Sequence, residues 1–464
     1  MKIYNSLTRK IETFTPNVDK DVRMYTCGPT VYHYSHIGNL RTYIFEDILE
    51  KGLEYLGYNV LRVMNVTDVG HMTGDSDDGE DKMLKGAERE HKSVWEVADF
   101  YERAFFDDCA KLNIRKPAVV ERATKHIDTY IEMITKLLEK GYAYKSNGNI
   151  YFDVSKAHNY YQLSGKNPEE LFVGVRDTVE EDKNKRHPYD FGLWFTVSKF
   201  SNQEMKWDSP WGVGYPGWHI ECSGISYKYL GEYLDIHCGG VDNIFPHHTN
   251  EIAQSEAFLG HKWCNYWVHG EHLNDSAGKM SKSKGEFLTV DLLKSKGYNP
   301  LSYRYLCLNS HYRNQLVFSY EALDGAQMAY NKLKSRIRSL DRTPDLHEEK
   351  LDFYKNEFKE AISNDLNTSS MLTVVYDVLK DESLTDFSKL YLIEDFDKVL
   401  SLDLIEEEKT VDEDIEALIQ KKIEERNEAK KNKNYELADK IRSELFDQGI
   451  RLIDDRNGTK YEII

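Results

Sequence analysis

The chain has 464 residues, a length typical of two to four domains. Its 61 Lys and Arg residues against 79 Asp and Glu residues give a formal net charge of −18, which argues against a nonspecific nucleic-acid coat. Aromatic residues make up 12% of the chain, enough core material to exclude disorder as the main state. No apolar run approaches about 18 residues, no signal-peptide core is present, and six scattered cysteines do not suggest a disulfide framework. We expect a reduced, cytoplasmic, multidomain enzyme that contacts no membrane.

The N-terminal part of the chain has the pattern of a strand–helix–strand unit. Residues 22–26 form a short apolar run that ends in the turn signal Cys27-Gly28-Pro29. From Leu40, apolar residues recur at helical spacing up to a stop at Gly57, and residues 59–64 again have the composition of a buried strand. Two strands joined by a helix predict the start of a parallel sheet.

The pattern changes several times in the rest of the chain. It predicts helix over 94–140, a hairpin around Asn147-Gly148, a loop over 179–187, parallel strands at 233–236 and 265–268, and mainly helix beyond about residue 320. Residues 403–416 hold eight acidic side chains and one Lys, which indicates a solvated linker or a helix start. Residues 421–445 hold eight basic and six acidic positions.

The segment His36-Ile37-Gly38-Asn39 lies between the first predicted strand and the first predicted helix. The start of a helix offers free N–H groups and a partial positive charge, so it can bind phosphate. Gly38 would let a flat ring approach the backbone, and His36 could donate to phosphate oxygens. The alternative is a simple N-terminal cap.

The segment Lys279-Met280-Ser281-Lys282-Ser283 suits a polyphosphate clamp. Lysine is a point charge on a flexible stem, so it can follow phosphate as charge moves. Gly278 and Gly285 flank the segment. The alternative is a solvated charge run.

A third segment, 246–251, has the composition of a metal-binding helix start. Pro246 fits the first turn of a helix that extends to about residue 259, and His247 and Glu251 are four residues apart, so they share a face. Imidazole and carboxylate can both bind zinc, and distant cysteines would supply the other ligands. The candidates are Cys27, Cys222 and, in competition, Cys238. The alternative is an ordinary capped helix start. The remaining cysteines, 109, 264 and 307, have apolar neighbours typical of a core.

One motif is misleading. Residues 212–217 match the dinucleotide-binding pattern G-x-G-x-x-G. However, Asp208-Ser209-Pro210-Trp211 precedes them instead of an aliphatic strand, and Pro216 disfavours the required helix start. We interpret the segment as a loop.

Taken together, these motifs resemble class I aminoacyl-tRNA synthetases. Residues 27–32 with 36–39 resemble the first signature of that class, and residues 279–283 resemble the second. Residues 217–222 and 245–256 are similar to the cysteinyl-tRNA synthetase family in particular, and so is the tail pattern formed by residues 438–442, 449–450 and 458–459. Asn39 departs from the commonest first signature by replacing its final His, and Cys238 stands where the family varies.

The resemblance implies a set of site residues. It implies one zinc ion per chain, held by Cys27, Cys222, His247 and Glu251, that binds the thiolate of L-cysteine. Such a bond excludes serine, which a pocket of fixed size could not reject strongly. The implied ATP site comprises Gly28, Pro29, Thr30, His36, Gly38, Asn39 and Lys282, with His36, Asn39, Lys279 and Lys282 acting in catalysis. The implied amino-acid pocket comprises Thr67, Trp218 and Asp242; for Asp242 the alternative is a turn cap.

The same resemblance implies the organisation of the molecule. We expect an α/β fold with a Rossmann-like, parallel-sheet nucleotide-binding domain, an inserted connective domain and an α-helical C-terminal half. The expected ranges are 1–116 with 207–270 for the catalytic domain, 117–206 for the insertion, 271–320 for the clamp loop, 321–400 for a helical bundle and 401–464 for anticodon binding. The expected partners are ATP, with Mg²⁺, L-cysteine and tRNA(Cys), bound by a monomer.

Two other functions are compatible with parts of this pattern. A cysteine:amine ligase makes the same adenylate, but such relatives generally lack a region like 401–464. A catalytically idle zinc- and RNA-binding module would not need the intact segment 279–283.

Overall fold

The structure is a computed structural model that describes residues 1–70, 83, 92–165, 185–197, 205–275, 278–279, 287–405, 413–447, 450–455 and 458–463. The chain divides into two units, Met1–Ile405 and Glu406–Ile464. None of the helices in these ranges is long and apolar enough to cross a membrane.

The larger unit is built on a five-stranded parallel sheet, which confirms the predicted Rossmann-like α/β class. Across the sheet the strands are Cys264–Gly270, Leu234–Gly240, Asp21–Thr26, Asn59–Val66 and Val119–Arg122. The two strands that follow the central strand Asp21–Thr26 in sequence lie on one side of it, and the two later strands lie on the other side. The order therefore reverses between the central strand and Leu234–Gly240, and sheets of this kind bind ligands in the crevice at such a switch point.

The helix Ile37–Tyr55 joins the central strand to its neighbour Asn59–Val66. Its apolar positions at helical spacing are buried, and Gly57 follows it with φ of +91°. Arg62 lies fully buried between two carboxylates of this helix, 3.2 Å from both Glu46 and Glu50. These ion pairs tie the helix to the sheet that it covers.

The prediction of continuous helix over 94–140 is wrong in its middle part. Helices Val94–Lys111 and Ile127–Glu139 flank the strand Val119–Arg122 and a short 3₁₀ turn, Ala123–His126. Asn113 has φ of +54°, and proline at 117 cannot continue a helix. The strand has only four residues and pairs with Asn59–Val66 at the edge of the sheet, beyond the boundary expected at residue 116.

A separate antiparallel sheet follows. Its strands, in order, are Ala143–Ser146, Asn149–Phe152, Phe191–Phe195 and Tyr215–Pro216. The predicted hairpin is confirmed, because Asn147 and Gly148 have the two positive φ angles of a tight turn, +46° and +88°. The segment 212–217 contributes the last, two-residue strand of this sheet. The predicted loop over 179–187 lies outside the described residues up to 184.

Among the described residues, the larger unit also contains two small sheets and a series of helices. One sheet is the hairpin Lys2–Asn5 and Lys10–Thr13, and the other holds Gly278–Lys279, Leu273–Asp275 and Leu316–Val317. The helices are Trp218–Leu230, Thr249–Leu259, Val290–Ser295, Pro300–Leu308, Tyr320–Arg338, Leu351–Ser363, Thr368–Lys380 and Asp386–Leu400. The mainly helical pattern predicted beyond residue 320 is confirmed.

The smaller unit has its own apolar core. Helices Glu413–Lys431 and Tyr435–Asp447 pack with a hairpin, Ile450–Asp455 and Gly458–Ile463, that the sequence pattern did not predict. The buried side chains include Ile419, Ile423, Ile441, Leu445, Ile450 and Leu452.

Candidate metal centre and nucleotide site

Four side chains from three parts of the chain meet at the switch point of the parallel sheet. Cys27 follows the central strand, Cys222 lies on helix Trp218–Leu230, and His247 and Glu251 lie at and beyond the start of helix Thr249–Leu259. One donor atom from each lies within 4.8 Å of the other three, so the set could hold a metal ion. Cys222, His247 and Glu251 are buried, and Cys27 is partly exposed.

The helix that carries Glu251 begins later than predicted. It runs from Thr249 to Leu259, and a wider turn, Ile244–His248, precedes it. Phe245 is extended (φ −140°, ψ 130°), because a residue before proline avoids the helical region. His247 and Glu251 nevertheless approach closely, with 3.0 Å between Nε2 and Oε1.

A second group overlaps the first, and the sequence interpretation missed it. Donor atoms of Cys27 and Glu251 also lie within 4.8 Å of donor atoms of His237 and His248. The distance is 2.9 Å from His237 Nε2 to Glu251 Oε2 and 3.3 Å from His248 Nε2 to Cys27 Sγ. His248 in turn contacts His269 through a 2.8 Å nitrogen–nitrogen distance. His237 and His248 are each adjacent in sequence to a candidate ligand, Cys238 and His247, but that adjacency does not show which side chains face the metal centre.

Cys238 belongs to neither of these groups among the described residues. It is fully buried in the apolar cluster that also contains Met24, Met64 and Val268. Its neighbour His237 points to the metal centre instead, because successive residues of a strand face opposite sides of the sheet. The competing assignment of Cys238 as a ligand is therefore not supported by the geometry.

The ionisable groups of the candidate metal centre shift one another's pKa values. Burial alone would raise the pKa of Glu251, but His237 and His247 outweigh it and lower that pKa to about 2. Burial would raise the pKa of the Cys222 thiol as well, but the hydrogen bond with Cys27 and the contact with His247 lower it. These shifts favour the anionic forms of Glu251 and Cys222, which are the forms that bind metals. Burial and the hydrogen bond with Cys222 raise the pKa of the Cys27 thiol. Glu251 outweighs burial to raise the pKa of His247 to about 10. A metal ion would therefore have to displace a proton from Cys27 and from His247.

Gly28, directly after Cys27, allows two strand ends to approach closely. A Cβ atom there would lie 1.6 Å from the carbonyl oxygen of Asn65, so only glycine fits. The Gly28 N–H donates to Asn65 Oδ1 at 2.8 Å, and Asn65 donates to the hydroxyl of Thr67 at 3.0 Å. That hydroxyl donates to Glu221 at 3.0 Å, which links the expected pocket residue Thr67 to the neighbour of Cys222.

The expected nucleotide-binding residues lie along the same edge. Pro29 and Thr30 run beside Thr67, whose N–H donates to Pro29 O at 3.0 Å. His36 caps the helix Ile37–Tyr55, since its Nδ1 accepts from the Asn39 N–H at 3.1 Å.

A Cβ atom at position 38 would lie 2.9 Å from the His36 ring, so glycine lets this ring fold over the helix start. Asn39 is exposed. The alternative interpretation of His36 as an N-terminal cap therefore describes what its Nδ1 atom does.

The other expected site residues differ in how closely they approach the metal centre. The ring of Trp218 packs on His247 with centroids 4.3 Å apart. Asp242 is exposed on the 3₁₀ turn Val241–Asn243, where it folds over Gly240. The backbone of Lys279 pairs with Asn274 in a short strand. Lys282 lies outside the described residues.

Known proteins are similar to this chain over its full length. The family described as "tRNA synthetases class I (C) catalytic domain" matches residues 13–328. The cysteine–tRNA ligase of Treponema denticola is 46% identical over 490 aligned positions, covering 100% of this chain and 99% of that protein. The chain belongs to the cysteine–tRNA ligase family. The cysteine–tRNA ligase of Clostridioides difficile is 43% identical, with 100% of each chain covered.

Solved structures with little sequence identity share the fold. A leucyl-tRNA synthetase from Agrobacterium radiobacter K84, in a ternary complex with tRNA, aligns with a TM-score of 0.59 at 10% identity, over 84% of each chain. A methionyl-tRNA synthetase of Mycobacterium tuberculosis bound by methionyl-adenylate aligns with a TM-score of 0.52 at 14% identity, over 82% of this chain and 90% of that one.

Proposed function

We propose that this chain activates L-cysteine with ATP and transfers it to the 3′ end of tRNA(Cys), with one zinc ion per chain at Cys27, Cys222, His247 and Glu251. The observation that carries the proposal is the cluster of two sulfurs, one nitrogen and one oxygen at the switch point of the sheet. Sequence identities of 46% and 43% to cysteine–tRNA ligases, over the full length of the chain, support the same reaction.

Three of the donor distances lie close to the edges of a tetrahedral zinc site. With Zn–S bonds of about 2.3 Å and Zn–N and Zn–O bonds of about 2.0 Å, such a site has edges of about 3.8 Å (S–S), 3.5 Å (S–N) and 3.3 Å (N–O). The distances are 3.9 Å for Cys27 Sγ to Cys222 Sγ, 3.5 Å for Cys222 Sγ to His247 Nε2 and 3.0 Å for His247 Nε2 to Glu251 Oε1. The distance from Cys27 Sγ to Glu251 Oε1, 4.0 Å, is longer than the corresponding S–O edge of about 3.5 Å. When bound, zinc supplies a soft Lewis acid that favours the thiolate of cysteine over the hydroxyl of serine.

The chain's own groups would bind and position the two substrates. ATP, with Mg²⁺, would be held by Gly28, Pro29, Thr30 and the helix start at His36, Gly38 and Asn39, because a helix N-terminus attracts phosphate. Thr67, Trp218 and Asp242 would line the amino-acid pocket, with Asp242 facing the substrate ammonium. The cysteine carboxylate then attacks the α-phosphate, and Lys279 and Lys282 would stabilise the departing pyrophosphate.

The second step needs the RNA. The terminal adenosine hydroxyl attacks the carbonyl of the adenylate and releases AMP. We assign anticodon binding to residues 401–464, and the independent core of Glu406–Ile464 supports a region with a role of its own. We further propose that the protein is a monomer in the cytoplasm. Its catalytic domain would carry an insertion over 117–206, followed by a clamp segment over 271–320 and a helical bundle over 321–400.

Cysteine-dependent exchange of pyrophosphate into ATP, followed by charging of purified tRNA(Cys), tests this function. We expect exchange with cysteine but not with serine, and acid-precipitable cysteinyl-tRNA in the second assay. Exchange without charging, together with transfer of cysteine to a small amine, would instead indicate a cysteine:amine ligase.

A further inference from the structure

His219 lies beside the metal centre but outside both donor groups. It is 5% exposed and precedes Cys222 by three residues on helix Trp218–Leu230, so the two share a face. Its Nδ1 atom lies 2.9 Å from Nδ1 of His247. The other nitrogen of His247, Nε2, faces Cys222 and Glu251. The two nitrogens of His247 therefore have separate surroundings.

The close approach of two Nδ1 atoms restricts where their protons can be. A histidine nitrogen that binds a metal is unprotonated, so a His247 bound through Nε2 carries its proton on Nδ1. That N–H can donate only if the facing Nδ1 of His219 has a lone pair. His219 must then hold its own proton on Nε2.

The position of His219 is itself fixed by two neighbouring elements. The Phe191 ring, from the antiparallel sheet, meets the His219 ring edge to face at 5.5 Å between centroids. Gln254, one turn after Glu251, donates to the backbone oxygen of His219 at 2.6 Å and to the Ser223 hydroxyl at 2.7 Å. The backbone and the ring of His219 are therefore held by contacts other than the one with His247.

We propose that His219 is a positioning residue for the metal site: it accepts the Nδ1–H of His247 and thereby fixes the tautomer and ring orientation that present Nε2 to the metal. Outer hydrogen-bond partners of metal-bound histidines commonly act in this way, and their loss weakens metal binding about 10–100-fold. This inference rests on the proposed zinc site.

Two substitutions of nearly equal shape separate hydrogen bonding from packing. His219→Asn keeps an acceptor oxygen close to the position of Nδ1, whereas His219→Leu has the same branching and no acceptor. Zinc content and the rate of zinc transfer to a colorimetric chelator are measured on the purified full chain. We expect His219→Leu to lose zinc about 10–100-fold faster than the wild type and His219→Asn to remain close to it.

A third variant controls for removal of a buried histidine. His126 is also buried, lies 3.2 Å from Lys228 of helix Trp218–Leu230 and belongs to neither donor group. We expect His126→Leu to release zinc at the wild-type rate. Equal rates for His219→Leu and the wild type, or equal acceleration by Leu and Asn, would overturn the inference.

A measurement on the wild type needs no variant. Nitrogen-15 spectra of the zinc-loaded protein, with labelled histidine, should show His219 protonated on Nε2 and His247 protonated on Nδ1. A proton on Nδ1 of His219 overturns the inference even if the leucine variant does not fold. A wild-type chain that binds no zinc contradicts the proposed metal site instead, and zinc-loaded protein without cysteine-dependent exchange contradicts the proposed reaction.

Discussion

Selection between cysteine and serine is decided by single atoms. The two amino acids differ only in sulfur against oxygen, and pocket size distinguishes such pairs poorly. The candidate centre already has a sulfur pair, Cys27 and Cys222, 3.9 Å apart. Sulfur-rich sites select soft metals, which in turn prefer a thiolate as an additional ligand. Zinc-depleted protein should therefore lose affinity for cysteine far more than for ATP in equilibrium binding, and equal losses would indicate a purely structural metal.

Two cysteine substitutions test the assignment of the ligands. Cys222→Ala removes one of the four donors, so we expect zinc content to fall from one equivalent to a small fraction. Cys238→Ala changes a thiol that is fully buried in the apolar cluster, so it should leave zinc content unchanged. Metal analysis of both purified proteins measures the difference. Zinc loss in Cys238→Ala with retention in Cys222→Ala would show that the wrong thiol was chosen.

A lysine substitution tests the stabilisation of the leaving group. Lys282→Ala should lower the turnover of pyrophosphate exchange by about 10²–10³-fold, the usual scale for a lost electrostatic stabiliser, with little change in cysteine binding. Lys294, an exposed lysine on helix Val290–Ser295, provides the control, and Lys294→Ala should be silent. A change limited to the Michaelis constant for ATP would indicate uniform ground-state binding instead.

The sequence indicates the four donor residues more readily than the histidines that surround them. Spacing places His247 and Glu251 on one face without knowledge of the fold, and a thiol is a conspicuous candidate wherever it occurs. His237 differs, because its relevance depends on which face of its strand covers the metal centre. That face is decided by the packing of helix Thr249–Leu259 on the sheet, which no local pattern encodes.

Among the helices and strands, the length of an element decides whether its hydrophobic pattern can predict it. The helix Ile37–Tyr55 has 19 residues and a repeated apolar face, so its period is visible. The edge strand Val119–Arg122 has four residues of intermediate burial, and it is stabilised by pairing with Asn59–Val66 rather than by its own composition. The terminal hairpin, Ile450–Asp455 and Gly458–Ile463, was missed because its residues had been included in a helical region.

Substitution of Gly28 tests how closely the ends of the first two parallel strands must approach, and substitution of Gly325 provides a control. Gly28→Ala places a Cβ atom 1.6 Å from the Asn65 carbonyl oxygen, so backbone must move, and we expect a loss of about 1–3 kcal/mol in the free energy of unfolding. Gly325, in helix Tyr320–Arg338, has open space around an added Cβ. Gly325→Ala should gain about 0.5–1 kcal/mol, as expected for helical glycine.

Denaturant unfolding of both variants measures these changes. An unaltered stability for Gly28→Ala would mean that the two strand ends can separate without cost. Exchange activity should fall in the same variant, because Gly28 connects Cys27 to the strand that leads to Thr67.

On the scale of the whole molecule, buried charges join the C-terminal helices of the larger unit to its nucleotide-binding part. Arg304, on helix Pro300–Leu308, is fully buried and lies 2.6 Å from Asp47 of helix Ile37–Tyr55. It also donates to the backbone oxygens of Leu112 and Leu400 at 3.0 Å and 2.8 Å. The helices up to Leu400 therefore belong to the core that supports the catalytic crevice, whereas Glu406–Ile464 has a core of its own.

A chain that ends after Ile405 tests the division of labour between the two units. The larger unit retains the candidate metal centre and the nucleotide site, so we expect cysteine-dependent pyrophosphate exchange close to that of the full chain. Charging of tRNA(Cys) should fall, because residues 421–445 carry a charge excess of 8 − 6 = +2 in a chain of −18 and are the expected RNA-binding part. Full charging at low RNA concentration would contradict this assignment.

Salt dependence tests the same surface within the full chain. Lys430, Lys431 and Lys433 lie at and just beyond the end of helix Glu413–Lys431, next to the turn that leads into Tyr435–Asp447. Each lysine that contacts a phosphate adds about one to the slope of log affinity against log salt concentration. Replacing all three by alanine should lower that slope by about two to three units and leave pyrophosphate exchange unchanged. Replacing Lys294, on the larger unit, should leave the slope as it is. If the triple variant binds tRNA(Cys) with the wild-type slope, these lysines do not contact the phosphates, and RNA recognition must use another face of the chain.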